Sequence, residues 1–381
     1  MKKHGEAFVG IDTAKLRNAV AVAEGGREGE VRYLGEFENT PQGVAKLIRK
    51  LADRYETLHI CYEAGPTGYG LYRQVLAMGH ECMVVAPSLI PRRPGDRVKT
   101  NRRDAQTLAR LLRAGELTAV WVPDPTHEAV RDLVRTRMMA VEDYRRKRQH
   151  VTGFLLRHGR TYTGKTSWKG HHLRWLDGQN FDHPAQRLAF QEMLNAVRAV
   201  RDRLDRLEAA LLEIVPSWTM APVVAAFQAM RGVQFLTAAT MVAEAGDLRR
   251  FDHPRQLMAF LGLVPSERST GETRRQGGIT KAGNSSARRV LVEAAWTYRH
   301  SAGLGVDHQR RQQGLPEQVR DIAWKAQARL CARYRRLMAK GKRNTVAVTA
   351  VAREMAAFLW AIARHVDPLP LETPQLARAA T

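Results

Sequence analysis

The sequence predicts an α/β N-terminal domain, a coiled-coil linker and a mainly α-helical C-terminal domain. Three observations carry that expectation. Short β-rich runs with turn signals between them fill roughly the first 115 residues. A seam of apolar residues stepping by three and four runs from position 190 to 214, and beyond Pro216 the apolar spacing is mostly helical. The boundaries that follow are 1–120 for the α/β domain, 121–216 for a basic helical and coiled-coil region, 217–365 for the C-terminal domain, and 366–381 for a tail.

Residues 8–11, 18–23 and 31–37 read as three strands, the last two separated by Glu24-Gly25-Gly26, residues that suit a hairpin turn. Pro41 opens a helix that carries Val44, Leu47, Ile48 and Leu51 at helical spacing. A strand at 58–62, a helix at 68–78 and a strand at 82–86, closed by Pro87, complete the order βββαβαβ before a further helix. This is the order of a ribonuclease-H-like core, in which the first strand and its neighbour, the fourth, each supply a carboxylate. Residues 126–160 form a strongly basic helix, read either as a solvated helix face or as a surface that tracks a nucleic-acid backbone. Residues 161–184 are less regular and hold Trp168, Trp175 and His171-His172, the last without metal-ligand spacing. The seam Phe190, Met193, Val197, Val200, Leu204, Leu207, Leu211 and Ile214 packs either against the basic helix or against another subunit. Met230-Arg231-Gly232-Val233 before 237–245 resembles a degenerate helix-hairpin-helix, whose hairpin amides face phosphates. The basic stretch 309–343 is helical, with Trp324 and Tyr334 expected in the core.

Lys and Arg number 61 against 38 Asp and Glu, a formal net charge of +23, which is the footprint of a nucleic-acid binder. A hydrophobic content of 44% excludes a disordered basic tail. No apolar run approaches the ~20 residues of a membrane span and no apolar stretch follows Met1-Lys2-Lys3, so a cytoplasmic protein without a membrane partner is expected. Cys61, Cys82 and Cys331 lie too far apart to suggest a zinc ribbon or a disulfide framework.

Against this positive background, three acids stand at element ends: Asp12 in Gly10-Ile11-Asp12-Thr13, Glu63 in Tyr62-Glu63-Ala64, and Asp104 in Arg102-Arg103-Asp104-Ala105. Carboxylates that converge inside a polyanion-binding protein suit a divalent ion used on phosphodiesters. Asn101 shares a helix face with Asp104 and offers an amide oxygen. Plainer roles exist for both motifs. An acid at a helix start is favoured by the helix dipole, and sugar kinases and actin-like ATPases also open on Gly-Ile-Asp, although no phosphate-cradling glycine loop follows Glu63. Further on, Ser269, Thr270 and Gly271 lie in a polar loop with Arg268, Arg274, Arg275 and Lys281, leading to a helix that begins near Arg288. Hydroxyls beside guanidiniums suit attack on a phosphodiester, and equally a capped polar turn.

Four motifs in order along nearly the whole chain resemble the DEDD-type insertion-sequence transposases of the IS110 group: Val9-Gly10-Ile11-Asp12-Thr13-Ala14-Lys15, Tyr62-Glu63-Ala64, Lys99-Thr100-Asn101-Arg102-Arg103-Asp104-Ala105, and Ser269-Thr270-Gly271 with Thr280-Lys281-Ala282-Gly283-Asn284. The resemblance implies a RuvC-like N-terminal domain, a coiled coil and a C-terminal transposase domain bearing a serine. It also implies a homo-oligomer, dimer to tetramer, that binds DNA and a noncoding bridge RNA and uses Mg2+, with Mn2+ as the alternative. In that family a phosphoserine link forms and the two parts of one active site come from different subunits. Carried over, Asp12, Glu63 and Asp104 match the first, second and fourth acids. Asn101 stands where the third is usually Asp, which implies weaker ion binding unless Asp96 compensates. Thr270 holds the place of the serine that precedes the glycine and Ser269 stands one earlier; Ser269 is favoured by residue type. Arg102, Arg103, Arg268, Arg274, Arg275, Lys281 and Arg288 are the nucleic-acid-binding candidates. Two alternatives stay open: a metal-dependent nuclease in which water attacks, and a non-catalytic nucleic-acid-binding relative disabled by Asn101.

Overall fold

The computed structural model describes residues 4–26, 28–91, 100–271 and 273–370, so Asp96, the Arg274 side chain and the tail beyond 370 lie outside the described residues. The chain divides into two compact units, Met1–Val122 and Pro123–Thr381.

The N-terminal unit follows the expected order: β1 (His4–Asp12), β2 (Arg17–Glu24), β3 (Val31–Glu38), α1 (Pro41–Ala52), β4 (Tyr55–Glu63), α2 (Gly70–Ala77), β5 (Glu81–Val85) and α3 (Asn101–Arg113). The strands form one sheet in the order β3-β2-β1-β4-β5. Hairpin connections make β1, β2 and β3 antiparallel, whereas the helical crossovers through α1 and α2 bring β4 and β5 in parallel to β1. Side chains alternate across the sheet. One face sets Val9, Ile11, Val20, Val22, Leu58, Ile60 and Tyr62 against Val44, Leu47, Ile48 and Leu51 of α1. The other face is built of small residues, Ala19, Ala21 and Ala23, packed on Ala105 and Ala109 of α3. Gly10 allows the closest approach: a Cβ there would lie 2.4 Å from both the Ala105 carbonyl oxygen and the Ala109 amide nitrogen.

The C-terminal unit begins with two long helices, α4 (Pro125–Arg157) and α6 (Pro184–Ile214), with the short α5 (Gly170–Asp177) between them. The seam read from the sequence packs in cis. Arg137 pairs with Glu208, and Phe154 stacks on Phe190 about 25 Å further along, so the helices run antiparallel. Phe190, Leu194, Val197, Leu204 and Leu211 are buried, while Leu188, Leu212 and Ile214 remain exposed.

There follow α7 (Ala221–Phe227), α8 (Phe235–Ala245), α9 (Pro254–Phe260), β6 (Pro265–Thr270), β7 (Thr273–Ile279), α10 (Ser285–Ala295), α11 (Val306–Gln312), α12 (Glu317–Ala339) and α13 (Asn344–Ala363). Val348, Val351, Met355, Leu359 and Ile362 of α13 are fully buried in the core of this unit. By length and composition α13 is also apolar enough to cross a membrane; Arg353 and Glu354 interrupt its apolar run, which is why no span was read from the sequence.

Two expectations are corrected, and a third gains detail. The polar segment after Pro265 is an antiparallel two-stranded ribbon rather than a loop. Trp324 is exposed at 48%, because it sits on the outer side of α12, while Tyr334 is buried as expected. The segment read as helix-hairpin-helix-like folds as α7 and α8, with the amides of Ala229, Met230 and Val233 donating to the carbonyls of Ala226, Phe227 and Met230. Its carbonyls at Ala229 and Val233 accept from His308, Gln312 and Arg311, so α11 packs on the hairpin.

Candidate active site

Register places the first two acids. Ile11 pairs with Tyr62 across the parallel β1 and β4, so Asp12 and Glu63 end neighbouring strands at the same level. Both fall on the α3 face: Asp12 follows Gly10 by two residues, and Glu63 follows Cys61, whose thiol donates to the Leu108 carbonyl. Helix α3 runs antiparallel to β1. Its last turn lies at the opposite end of the sheet, where Arg113 donates to the carbonyls of Glu24 and Gly29, so its N-terminus lies towards the carboxyl ends of β1 and β4. Thr100 caps that end by accepting from the Arg103 amide. Asp104 and Asn101 extend the stripe that buries Ala105 and Leu108. Asp12, Glu63 and Asp104 are half-buried and Asn101 is exposed. Among the described residues, no group of three His, Cys, Asp or Glu side chains stands close enough to form a ready metal cage. The acids share a rim of the sheet rather than a tight cluster.

Ser269 and Thr270 lie on β6, exposed along nearly its whole length. The backbone register opposes Ser269 to Arg274, Thr270 to Thr273 and Arg268 to Arg275. Alternation therefore puts Ser269 on one face of the ribbon and Thr270, Arg268 and Arg275 on the other. The Ser269 hydroxyl donates to Glu267 Oε1 at 2.8 Å. Glu267 was not singled out from the sequence; two positions before a hydroxyl on a strand is the spacing that would have found it.

The base of the ribbon is rigid. Thr280 and Lys281 donate their amides to the carbonyls of Val264 and Gly262, and the Asn284 amide donates to the Phe260 carbonyl. Gly283, at φ +94°, is required there, because a Cβ would lie 2.1 Å from the Phe260 carbonyl oxygen. Asn284 caps α10 by accepting from the Ala287 amide and donates its own side-chain amide to Glu244 at 2.7 Å. Glu244, with a side chain 1% exposed, also accepts from Arg135 at 2.8 and 2.9 Å. Burial pushes its carboxyl up, but the bonds from Arg135 and Asn284 outweigh this and hold it below the usual carboxylate range. This network was also missed, since its members are far apart in sequence.

The arginine candidates divide by environment. Arg288 donates to the Leu261 carbonyl and ties α10 to the end of α9. Arg102 lies over the Tyr33 ring. Arg268, Arg275 and Lys281 are exposed. The basic face of α4 is largely matched internally: Arg137 pairs with Glu208, Arg145 with Glu142 and Arg146 with Asp143, and Arg131 is buried.

Comparison with known proteins identifies the family. Residues 9–159 match a transposase model of the DEDD type, and residues 224–311 match the model described as "Transposase IS116/IS110/IS902 family". The protein y4qE of Sinorhizobium fredii, which carries a transposase name, is 59% identical over 94% of this chain and 89% of its own length. The transposase for insertion sequence element IS1533 of Leptospira borgpetersenii is 31% identical over 89% of this chain and 98% of its own length. The transposase for insertion sequence element IS1111A of Coxiella burnetii is 26% identical over 59% of this chain and 61% of its own length. A mixed-sheet domain with acids at its strand ends, a mainly helical domain and this coverage make the chain a member of the IS110 family of transposases, enzymes that cut and rejoin DNA.

Proposed function

We propose that this transposase joins DNA by transesterification, with Ser269 as the attacking hydroxyl and Glu267 as its proton acceptor. Asp12, Glu63 and Asp104, with Asn101, would hold a divalent ion in a RuvC-like, ribonuclease-H-like domain. The observation that carries this reading is the hydrogen bond from Ser269 to Glu267 on an exposed, arginine-rich ribbon. A carboxylate in hydrogen-bond reach of a hydroxyl is the arrangement of a nucleophile and its general base. As Ser269 Oγ bonds to phosphorus, the bond from phosphorus to the departing sugar oxygen breaks. The proton passes to Glu267, which can return it to that oxygen. One phosphodiester replaces another, so rejoining needs no separate energy source.

Arg268 and Arg275 stand directly opposite each other on the other face of the ribbon. Like charges so placed are destabilising by themselves and become favourable with a phosphate between them. The metal donors are all hard oxygens, which suits Mg2+ or Mn2+ rather than zinc. When bound, the ion would supply charge neutralisation on the phosphate. Asn101 contributes no charge and would weaken that binding. The family resemblance supports a bridge RNA as guide and a dimer to tetramer as the working state.

The test is a denaturing-gel assay for a covalent protein–DNA adduct, using the protein purified with its native flanking DNA and with any co-purifying RNA sequenced. Ser269→Ala is expected to abolish the adduct, Thr270→Ala to retain it, and Glu267→Gln to slow its formation by roughly 10²- to 10⁴-fold. An adduct that persists in Ser269→Ala would overturn the assignment. A discrete RNA encoded beside the gene is the result expected for guided recombination.

A further inference from the structure

The far end of the α4–α6 hairpin holds a feature that neither the ribbon nor the acidic rim uses. Trp168 adopts φ 62°, a left-handed conformation that is uncommon for a bulky side chain. It is kept there by its amide, which donates to His172 Nδ1 at 2.9 Å. In this pose the indole ring faces the Arg148 guanidinium at 4.9 Å, while Tyr144 flanks the same guanidinium at 5.1 Å. The neighbouring Arg145 and Arg146 have carboxylate partners in Glu142 and Asp143. Arg148 has none among the described residues, and its Nε is buried without a hydrogen-bond partner. His172 adds no positive charge beside Arg148: burial first, and then the Arg148 charge, push its pKa down. Arg145, Arg148, Gln149, Thr152 and Trp168 line a cleft of about 330 Å³.

An aromatic face, an unmatched cation and an amide around a small cleft match the parts of one nucleotide. We infer that this cleft binds a single unpaired nucleotide of a nucleic-acid strand, with its base against Trp168, its phosphate at Arg148, and Gln149 at the base edge. A duplex keeps its bases stacked inside and offers the indole no such face. The site serves to hold an unpaired strand at the end of the hairpin and takes no part in bond making. It is therefore independent of the Ser269 assignment and can be measured in EDTA without catalysis.

Short single strands of RNA and DNA of the same sequence, each carrying 5-iodouracil, would be irradiated with the full-length wild-type protein, and the cross-linked peptide mapped by mass spectrometry. A cross-link at Trp168 with either strand supports the site, and the strand that gives it identifies the source as RNA or DNA. Trp168→Ala is expected to weaken single-strand binding by roughly 5- to 150-fold and to leave binding of a duplex of equal length unchanged. Arg148→Gln should flatten the salt dependence of single-strand binding by about 0.7 in the log–log slope. The inference is overturned if neither strand cross-links at Trp168 of the wild type. It is overturned equally if Trp168→Ala weakens duplex and single strand alike, since the indole would then only prop the hairpin end.

Discussion

Replacing Glu244 with Ala removes the anchor between the helical hairpin and the base of the β6–β7 ribbon. Three hydrogen bonds disappear, two from Arg135 and one from Asn284. Breaking a buried charged pair costs about 3–5 kcal/mol, because the remaining partner is left buried and unmatched. The Arg135 side chain is 50% exposed and regains water, so its share is small. Asn284 is held in place by its cap on α10 and keeps an unsatisfied amide. A loss of about 1–3 kcal/mol follows, which lowers the midpoint of this unit by roughly 2–12 °C. Tryptophan fluorescence is the suitable probe, since of the seven tryptophans only Trp121 belongs to the N-terminal unit. The pH dependence has a definite sign. The folded carboxyl titrates below its usual value near 4.3, so its contribution is present above that value and is lost as pH falls through the lower, folded pKa. The wild type should therefore lose more stability than Glu244→Ala on acidification below about pH 4.5. Asn284→Ala added to Glu244→Ala should cost less than the sum of the two singles. A Glu244→Ala midpoint within about 0.5 kcal/mol of wild type, with an unchanged acid limb, would refute the reasoning.

The sheet and the acidic rim yield two further expectations. Gly10→Ala sets a Cβ against the backbone of α3 at Ala105 and Ala109, so α3 must move off β1. Chemical denaturation should show a loss of about 1–3 kcal/mol, and cleavage should fall further than stability does because Asp104 moves with the helix. Asn101→Asp adds a charged donor on the same face as Asp104 and should tighten divalent-ion binding, read by calorimetry; an unchanged affinity would remove position 101 from the ion's ligands.

What was legible in the sequence is what depends on neighbours along the chain. Apolar period and turn residues placed β1 to β5 and their helices, and element ends located Asp12, Glu63 and Asp104, because a strand that leaves the sheet exposes its next polar residue at the rim. The ribbon β6–β7 was read as a loop for a physical reason: both of its faces are polar, and an exposed strand without a core face has no apolar alternation to reveal it. The Glu267–Ser269 bond was hidden by the same misreading, since a two-residue offset signifies a shared face only once the segment is known to be extended. Charge counts misled in another way. The arginines of α4 read as an open basic surface, yet Arg135 and Arg137 find their carboxylates 109 and 71 residues away. Only the folded arrangement shows which cations are matched internally. By that criterion the ribbon arginines Arg268 and Arg275 and the hairpin-end Arg148 are better positions for phosphate than the count along α4 had implied.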